Sequence, residues 1–347
     1  MDPIPFERFM EDALYGPDGF YMSGNSGAGR RHDFLTAPEV GPLFGAVLAR
    51  FLDTEWERLG RPSPFTVVEA GAGPGTLARA VLAAAPACSA ALRYGTVEGS
   101  PGQRAQHPPA VESRPELPDG PFDGVIVANE LLDNLPFRLA VHDGAWREAF
   151  VSTGPDGRHV EVLSAPIEPR PAVLPATAPL GARAPLQLRA AAWVADARRR
   201  LRRGTLLVFD YTSPTTTGLA ARPWREWLRT YRGHQRGGHY LAEPGTQDIT
   251  AEVCVDQLPE PDTARSQAQW LELHGIRGLV DEGRAYWEAN AGRPDLAALR
   301  MRSRVTEAEA LLDPGGLGGF TALEWRATLA AVDEDRAVNA ANVERPG

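Results

Sequence analysis

Val67-Val68-Glu69-Ala70-Gly71-Ala72-Gly73-Pro74-Gly75 decides the fold. The run Phe65 to Glu69 reads as a buried strand, the alternating glycines as a turn, and Thr76 to Ala85 as an apolar helix. Glycines lack the Cβ that would hold a ligand off the backbone, and the free N–H groups of a helix start favour an anionic or carboxylate group. Farther on, Glu98 closes the β-rich run Tyr94 to Glu98, where a carboxylate can take both hydroxyls of a ribose. Glu69, Gly71, Ala72, Gly73, Gly75 and Glu98 are thus expected to hold a nucleoside cofactor. The competing reading is a plain strand-to-helix turn.

A nicotinamide dinucleotide asks for G-x-G-x-x-G, but Thr76 stands at the third glycine. The spacing E-x-G-x-G-x-G with an acidic strand end fits S-adenosylmethionine better. Working outward, Gly99 to Gln106 reads as helical and Phe122 to Ala128 as a strand. This βαβα order predicts an α/β fold, a doubly wound Rossmann-like parallel sheet covered by helices. The segment Gly124 to Pro136 is an apolar strand ending in the polar cluster Asn129, Glu130, Asp133 and Asn134. In such a sheet ligands lie at the carboxyl ends of the strands, so Asn129 and Glu130 are expected beside the methyl donor. Asp133 shares a face with Glu130 if the segment turns helical, and two carboxylates can grip a guanidinium or accept a proton. Otherwise Glu130 caps a helix and Asp133 is merely solvated.

Before the glycine turn, a short helix over Phe6 to Leu14, the turn Gly16 to Gly19 and a glycine-rich stretch Gly24 to Gly29 precede a long amphipathic helix from Pro38. After Asn129 the signals become hairpins around Asp143-Gly144 and Pro155-Asp156-Gly157, then an irregular stretch Ala165 to Pro185. A helix Leu188 to Arg203 leads into the buried strand Leu206 to Asp210. The resulting division is an N-terminal lid and helix (1–60), a core (61–211, with a hairpin excursion at 137–164 and a linker at 165–185), an inserted substrate-side subdomain (212–304), a return to the core (305–333) and a loose tail (334–347).

The 347 residues carry 45 acidic and 36 basic groups, a formal net charge of −9, with 43% hydrophobic residues. Every basic residue is arginine, a bias that fits a G+C-rich genome. With no lysine, a Walker A loop, a pyridoxal Schiff base and a Tyr-x-x-x-Lys hydride site are all excluded. The acidic balance argues against nucleic acid or an anionic membrane as the main partner. Neither a signal peptide nor a membrane span is apparent, so a cytoplasmic protein is expected. Cys88 and Cys254 are too isolated for a disulfide framework or a thiolate zinc site. His234 and His239 lack a carboxylate at ligand spacing, so no metal is expected. The arginines between Arg198 and Arg203 are read as solvated charges at a helix C-terminus. Trp224 and Trp227 are read as core.

The chain resembles the MidA-like class I S-adenosylmethionine-dependent methyltransferases. The resemblance rests on Ala13 to Tyr21, Gly29 to Val40, Leu43 to Gly45, the glycine loop, Ala128 to Pro136, Phe209 to Tyr211, Tyr231 to His234 and Pro244 to Thr250. It implies a class I methyltransferase whose eukaryotic relatives dimethylate an arginine of a respiratory complex I subunit, and it draws Asp33, Thr36, Glu39 and His234 toward the pocket, where the first three would otherwise read as helix-capping groups. Three positions depart from the family pattern: His32 where glycine is usual, Ala80 where an acidic residue is common, and Thr321 where lysine is expected.

The combined expectation is methyl transfer from S-adenosylmethionine to a protein arginine side chain. Glu130, Asp133, Asn129 and His234 would act on the acceptor. Glu69, Gly71, Ala72, Gly73, Gly75, Glu98, Asn129, Thr36 and Glu39 would hold the cofactor. Two alternatives remain: N- or O-methylation of a small molecule or peptide, and a non-catalytic assembly chaperone.

Overall fold

Apolar residues alternate sides along the strand Phe65–Ala70, and this alternation assigns the helices to their layers. A computed structural model describes residues 2–22, 36–232 and 235–328. Val67, with Val125, Leu207 and Phe209, packs under the helices Pro42–Arg58 and Thr76–Ala83, whereas Val68, with Ile126, Leu206 and Val208, packs on the helix Leu188–Arg199. The sheet between these layers runs in the order Glu112–Arg114, Leu92–Val97, Phe65–Ala70, Phe122–Asn129, Leu201–Asp210, Thr321–Ala327 and Thr263–Ser266. The first five strands are parallel, and Thr321–Ala327 is antiparallel to both of its neighbours. This is the doubly wound sheet expected from the βαβα order.

A second apolar core lies beside the sheet. The apolar face of the helix Phe6–Tyr15 (Phe6, Phe9, Met10 and Leu14) is buried with Leu139 and Val151 of a hairpin, Arg138–His142 and Trp146–Thr153, and with Trp227 and Ile249. Arg189 ties the same helix to Leu188–Arg199 through Glu7 and Glu11. The hairpin forms around Asp143-Gly144, and the next strand, His159–Pro166, pairs with Trp146–Thr153.

Several boundaries differ from the sequence reading. The helix expected from Pro38 is two helices, Ala37–Val40 and Pro42–Arg58, parted at Gly41. A Cβ at Gly41 would lie 2.2 Å from the Glu307 carboxyl carbon, and that carboxylate accepts from the Leu43 N–H (2.8 Å). The helix expected over Gly99 to Gln106 is confined to Pro101–Arg104. Within the supposed linker, Arg183–Leu186 pairs with Arg138–His142. Helix Leu188–Arg199 stops early because the sheet begins at Leu201; Arg202 and Arg203 lie on that strand and both bond buried Asp123. Thr263–Ser266, from the segment read as an insertion, is an edge strand of the central sheet. Ala80 faces Gly45, where an added Cβ would come within 2.4 Å of the Ala80 Cβ, so the two helices meet closely at this pair. The glycine-rich stretch, Asp33, His32, His234 and the tail from Glu334 lie outside the described residues.

The sheet narrows where Thr66, Gly124 and Gly204 sit side by side on three adjacent strands. A Cβ at Gly124 (φ 158°) would lie 1.8 Å from the Thr66 carbonyl oxygen, and one at Gly204 1.7 Å from the Gly124 oxygen. These obstacles are backbone atoms in the middle of the sheet and cannot move aside. Gly124→Ala is therefore expected to cost on the order of 3 kcal/mol in urea unfolding, through overpacking and strain; a change below about 0.5 kcal/mol, typical of neutral surface positions, would contradict this packing.

Candidate cofactor cleft and acceptor site

The glycine turn adopts backbone angles that other residues rarely take, with φ of 67° at Gly71, 52° at Gly73 and 80° at Gly75. Added Cβ atoms would meet Leu131 Cδ1 at 3.1 Å from Gly71 and Gln103 Oε1 at 3.2 Å from Gly73. Glu98 clasps the turn: one carboxylate oxygen accepts from the Gly73 N–H (2.9 Å) and the other from the Ser100 N–H (2.8 Å). His107 fastens it from the far side, with Nε2 2.8 Å from the Gly73 carbonyl. Glu69, buried at the end of its strand, accepts from the Tyr94 hydroxyl (2.9 Å), and burial pushes its carboxyl up to about 8. Burial also raises Glu98.

These residues border one cleft of about 230 Å³. Of those expected from the sequence, Glu69, Gly71, Ala72, Gly73, Glu98, Asn129, Glu130, Thr36 and Glu39 line it. Gly75 stands behind as the residue that opens the helix Thr76–Ala83. Glu39 accepts from Thr76 Oγ1 (2.7 Å) and Thr36 makes no side-chain capping bond, so neither acts as a helix cap here. Two polar atoms of this lining, Ser100 Oγ and Asn129 Oδ1, are buried and have no hydrogen-bond partner among the described residues. Leaving such groups unpaired is costly, so a polar ligand that reaches them is favoured.

The strand Phe122–Asn129 ends in a loop whose first residue, Glu130, has φ 51°, a left-handed conformation costing roughly 1 kcal/mol for a side chain of this kind. The conformation is held by Glu130 N–H donating to Phe209 (2.8 Å) and by Asn129 Nδ2 donating to Glu130 Oε1 (3.0 Å). Beyond it only the short turn Leu132–Asn134 forms, so Asp133 does not share a helix face with Glu130. Asp133 points into the interior and accepts from Thr250 Oγ1, while its Oδ1 has no partner among the described residues. Asp133 is buried behind the cleft lining, so neither the solvated reading nor the shared helix face holds for it.

Three residues that local sequence reading did not single out complete the arrangement. Asp210, at the end of the neighbouring strand, accepts from the Leu132 N–H (2.8 Å) and Tyr211 N–H (2.8 Å). Asp248 accepts from Tyr21 OH (2.9 Å) and Asn134 Nδ2 (3.0 Å). Tyr15 donates to the Asn134 carbonyl (3.2 Å) and, like Tyr21, lines the cleft. The family-type blocks Ala13 to Tyr21, Phe209 to Tyr211 and Pro244 to Thr250 contain these residues, which is the signal that marks them. Thr321, where lysine was expected, pairs with Thr212 (2.7 Å between hydroxyl oxygens).

Glu130, Asp133, Asp210 and Asp248 thus form a carboxylate cluster, and among the described residues none of them has an arginine as a hydrogen-bond partner. Burial and then the charge of Asp133 push Glu130 up to about 8 and Asp248 up to about 7. Burial lifts Asp133 to about 6 and raises Asp210 strongly, with Asp133 adding to the latter. An unfolded chain has these groups near 4. Folded values above unfolded ones mean that the folded state binds more protons in between, so the stability they contribute is present below about pH 4 and lost as pH rises through 6 to 8. Melting temperature should fall over that window, and Asp133→Asn, which removes one ionisation at the centre of the cluster, should flatten the fall. An unchanged slope in this variant would show that the cluster does not share protons.

Comparison with known proteins fits this geometry. The family model described as "Putative S-adenosyl-L-methionine-dependent methyltransferase" matches residues 47–274. A crystal structure from Burkholderia thailandensis with S-adenosyl-homocysteine bound superposes with a TM-score of 0.79 and 28% identity, covering 93% of this chain and 88% of that one. The Drosophila melanogaster "Protein arginine methyltransferase NDUFAF7 homolog, mitochondrial" is 44% identical over 80 residues, 23% of this chain and 18% of that protein. The Homo sapiens "Protein arginine methyltransferase NDUFAF7, mitochondrial" is 34% identical over 80 residues, again 23% and 18%. The match therefore spans less than a fifth of these curated relatives. The glycine turn, the acidic strand end and the sheet order are those of a class I methyltransferase, and with the family model matching more than half of the chain, the chain belongs to this family of S-adenosyl-L-methionine-dependent methyltransferases.

Proposed function

We propose that the protein transfers a methyl group from S-adenosylmethionine to the guanidinium of an arginine in a protein substrate. The observation that carries this reading is the carboxylate cluster beside the cleft, with the buried Asp133 Oδ1 unpartnered among the described residues. A guanidinium stays charged at any accessible pH and needs carboxylates to replace its water, whereas a neutral hydroxyl acceptor has no use for four of them. The curated relatives, which carry the name protein arginine methyltransferase, support the reading over the 80 residues they share with the chain.

When bound, the cofactor supplies a methyl group already activated on a sulfonium. Glu98, held from behind by two backbone N–H groups, would take the ribose hydroxyls. The turn Gly71 to Gly75 lets the backbone approach closely, and Ser100 Oγ and Asn129 Oδ1 gain partners. Glu130, on the cleft and tuned toward neutral pH, would orient the acceptor nitrogen and hold the proton it loses. Asp133, Asp210 and Asp248 would act through Glu130 by keeping the local field negative. Positioning the two substrates accounts for much of the rate.

The test is incubation with radiolabelled S-adenosylmethionine and host lysate, followed by hydrolysis of labelled protein to amino acids. Label in methylarginine is expected. An esterified carboxylate or a labelled extractable metabolite would move the acceptor to another class, and an absence of label under conditions where the cofactor binds would make the protein a non-catalytic binder. Glu98→Ala should weaken S-adenosyl-homocysteine about tenfold in calorimetry, the value of a lost charge-assisted pair of hydrogen bonds. Glu130→Gln should leave that affinity intact and cut turnover by about 10²- to 10⁴-fold; normal turnover would remove Glu130 from the chemistry.

A further inference from the structure

Tyr15 and Tyr21 stack on one another, with ring centroids 5.5 Å apart and an interplanar angle of 18°. Both are half-buried and border the same cleft as Glu130 and Asn134. Their hydroxyls do not point freely into solvent: Tyr15 is tied to the Asn134 carbonyl and Tyr21 to Asp248, which is itself bonded to Asn134. Phe20, buried, meets Tyr21 edge-on at 5.1 Å and braces the pair from behind. The aromatic rings are thus fixed by their polar edges to the loop that carries Glu130, so the aromatic surface and the carboxylate keep a constant relation.

We infer that the Tyr15–Tyr21 pair is the surface on which the acceptor lies, making the site selective for a flat, delocalised cation over a compact ammonium. The inference rests on the arginine reading above and adds the source of its selectivity. Carboxylates alone attract lysine and arginine alike. A ring face distinguishes them, because a guanidinium can stack on it over its whole plane while keeping its N–H edges for carboxylates, and an ammonium, strongly hydrated and tetrahedral, cannot do both. Tyr15 and Tyr21 would act as positioning residues, with Asp248 and Asn134 setting the tilt of the rings.

The probes are N-acetyl-arginine amide and N-acetyl-lysine amide, titrated at millimolar concentration into the full chain with S-adenosyl-homocysteine bound. The wild-type protein should take the guanidinium roughly fivefold or more tightly than the ammonium. Tyr21→Leu should abolish that preference in a protein that still binds S-adenosyl-homocysteine. Tyr21→Phe, which keeps the ring and loses only the bond to Asp248, should retain most of it. Tyr15→Leu provides a second route should the Tyr21→Leu protein fail to fold. Undiminished preference in a folded Tyr21→Leu or Tyr15→Leu protein would overturn the aromatic surface and leave the arginine reading standing. A wild-type protein that takes neither probe, or prefers the ammonium, would overturn the arginine reading and this inference with it.

Discussion

The site depends on one buried carboxylate, Asp210, at the end of the strand Leu201–Asp210. Its oxygens accept from backbone N–H groups on both sides of the gap between two strands, Leu132 on one and Tyr211 on the other. This bridge fixes the loop after Asn129, and with it the left-handed turn at Glu130. Burying a charge without a cation is expensive, and the protein offsets that cost through backbone donors and a raised carboxyl, not through an ion pair. A cation supplied from outside would find the local field already prepared.

The position of the cleft follows from chain direction. From Phe65–Ala70 the chain crosses to Leu92–Val97 on one side, and after Glu112–Arg114 it returns to Phe122–Asn129 on the other. Between the two central strands the connections leave in opposite directions, which opens a crevice at their carboxyl ends. Glu69 and the glycine turn stand at one lip, Asn129 and Glu130 at the other. The second core, with the helix Phe6–Tyr15 at its centre, brings Tyr15 and Tyr21 to the remaining side. The two sides of the cleft therefore come from different parts of the chain.

What was legible in the sequence was local. The glycine turn, its strand and its helix are contiguous, and Glu98 lies one βα unit away, so spacing alone places them. The carboxylate cluster is assembled over long separations: Asp210 is 78 residues from Leu132, Asp248 is 114 from Asn134 and 227 from Tyr21. No periodicity encodes such meetings, and only the resemblance of whole blocks pointed toward them. The break at Gly41 has a local signal that the helical spacing masked, since Pro42 holds the residue before it out of the helical region, and Glu307 then secures the first turn of the next helix. Arg202 and Arg203 concealed a strand start because charged residues at a strand end look like a helix terminus until Asp123 is known to lie beside them. Asp133 was misread because its burial is decided by Thr250, on a strand far along the chain.

On the proposed reading, Glu130, Asp133, Asp210 and Asp248 are a preformed set of carboxyls, raised by burial, that a cationic acceptor would ionise. Carboxyl-carbon NMR of protein labelled at Asp and Glu side chains, with the four resonances assigned by single Asn or Gln substitutions, measures this directly. At least one carboxyl of Glu130, Asp133, Asp210 and Asp248 should still be protonated at neutral pH and should ionise when a guanidinium ligand is added. Four carboxyls fully ionised at neutral pH without any ligand would contradict this reading.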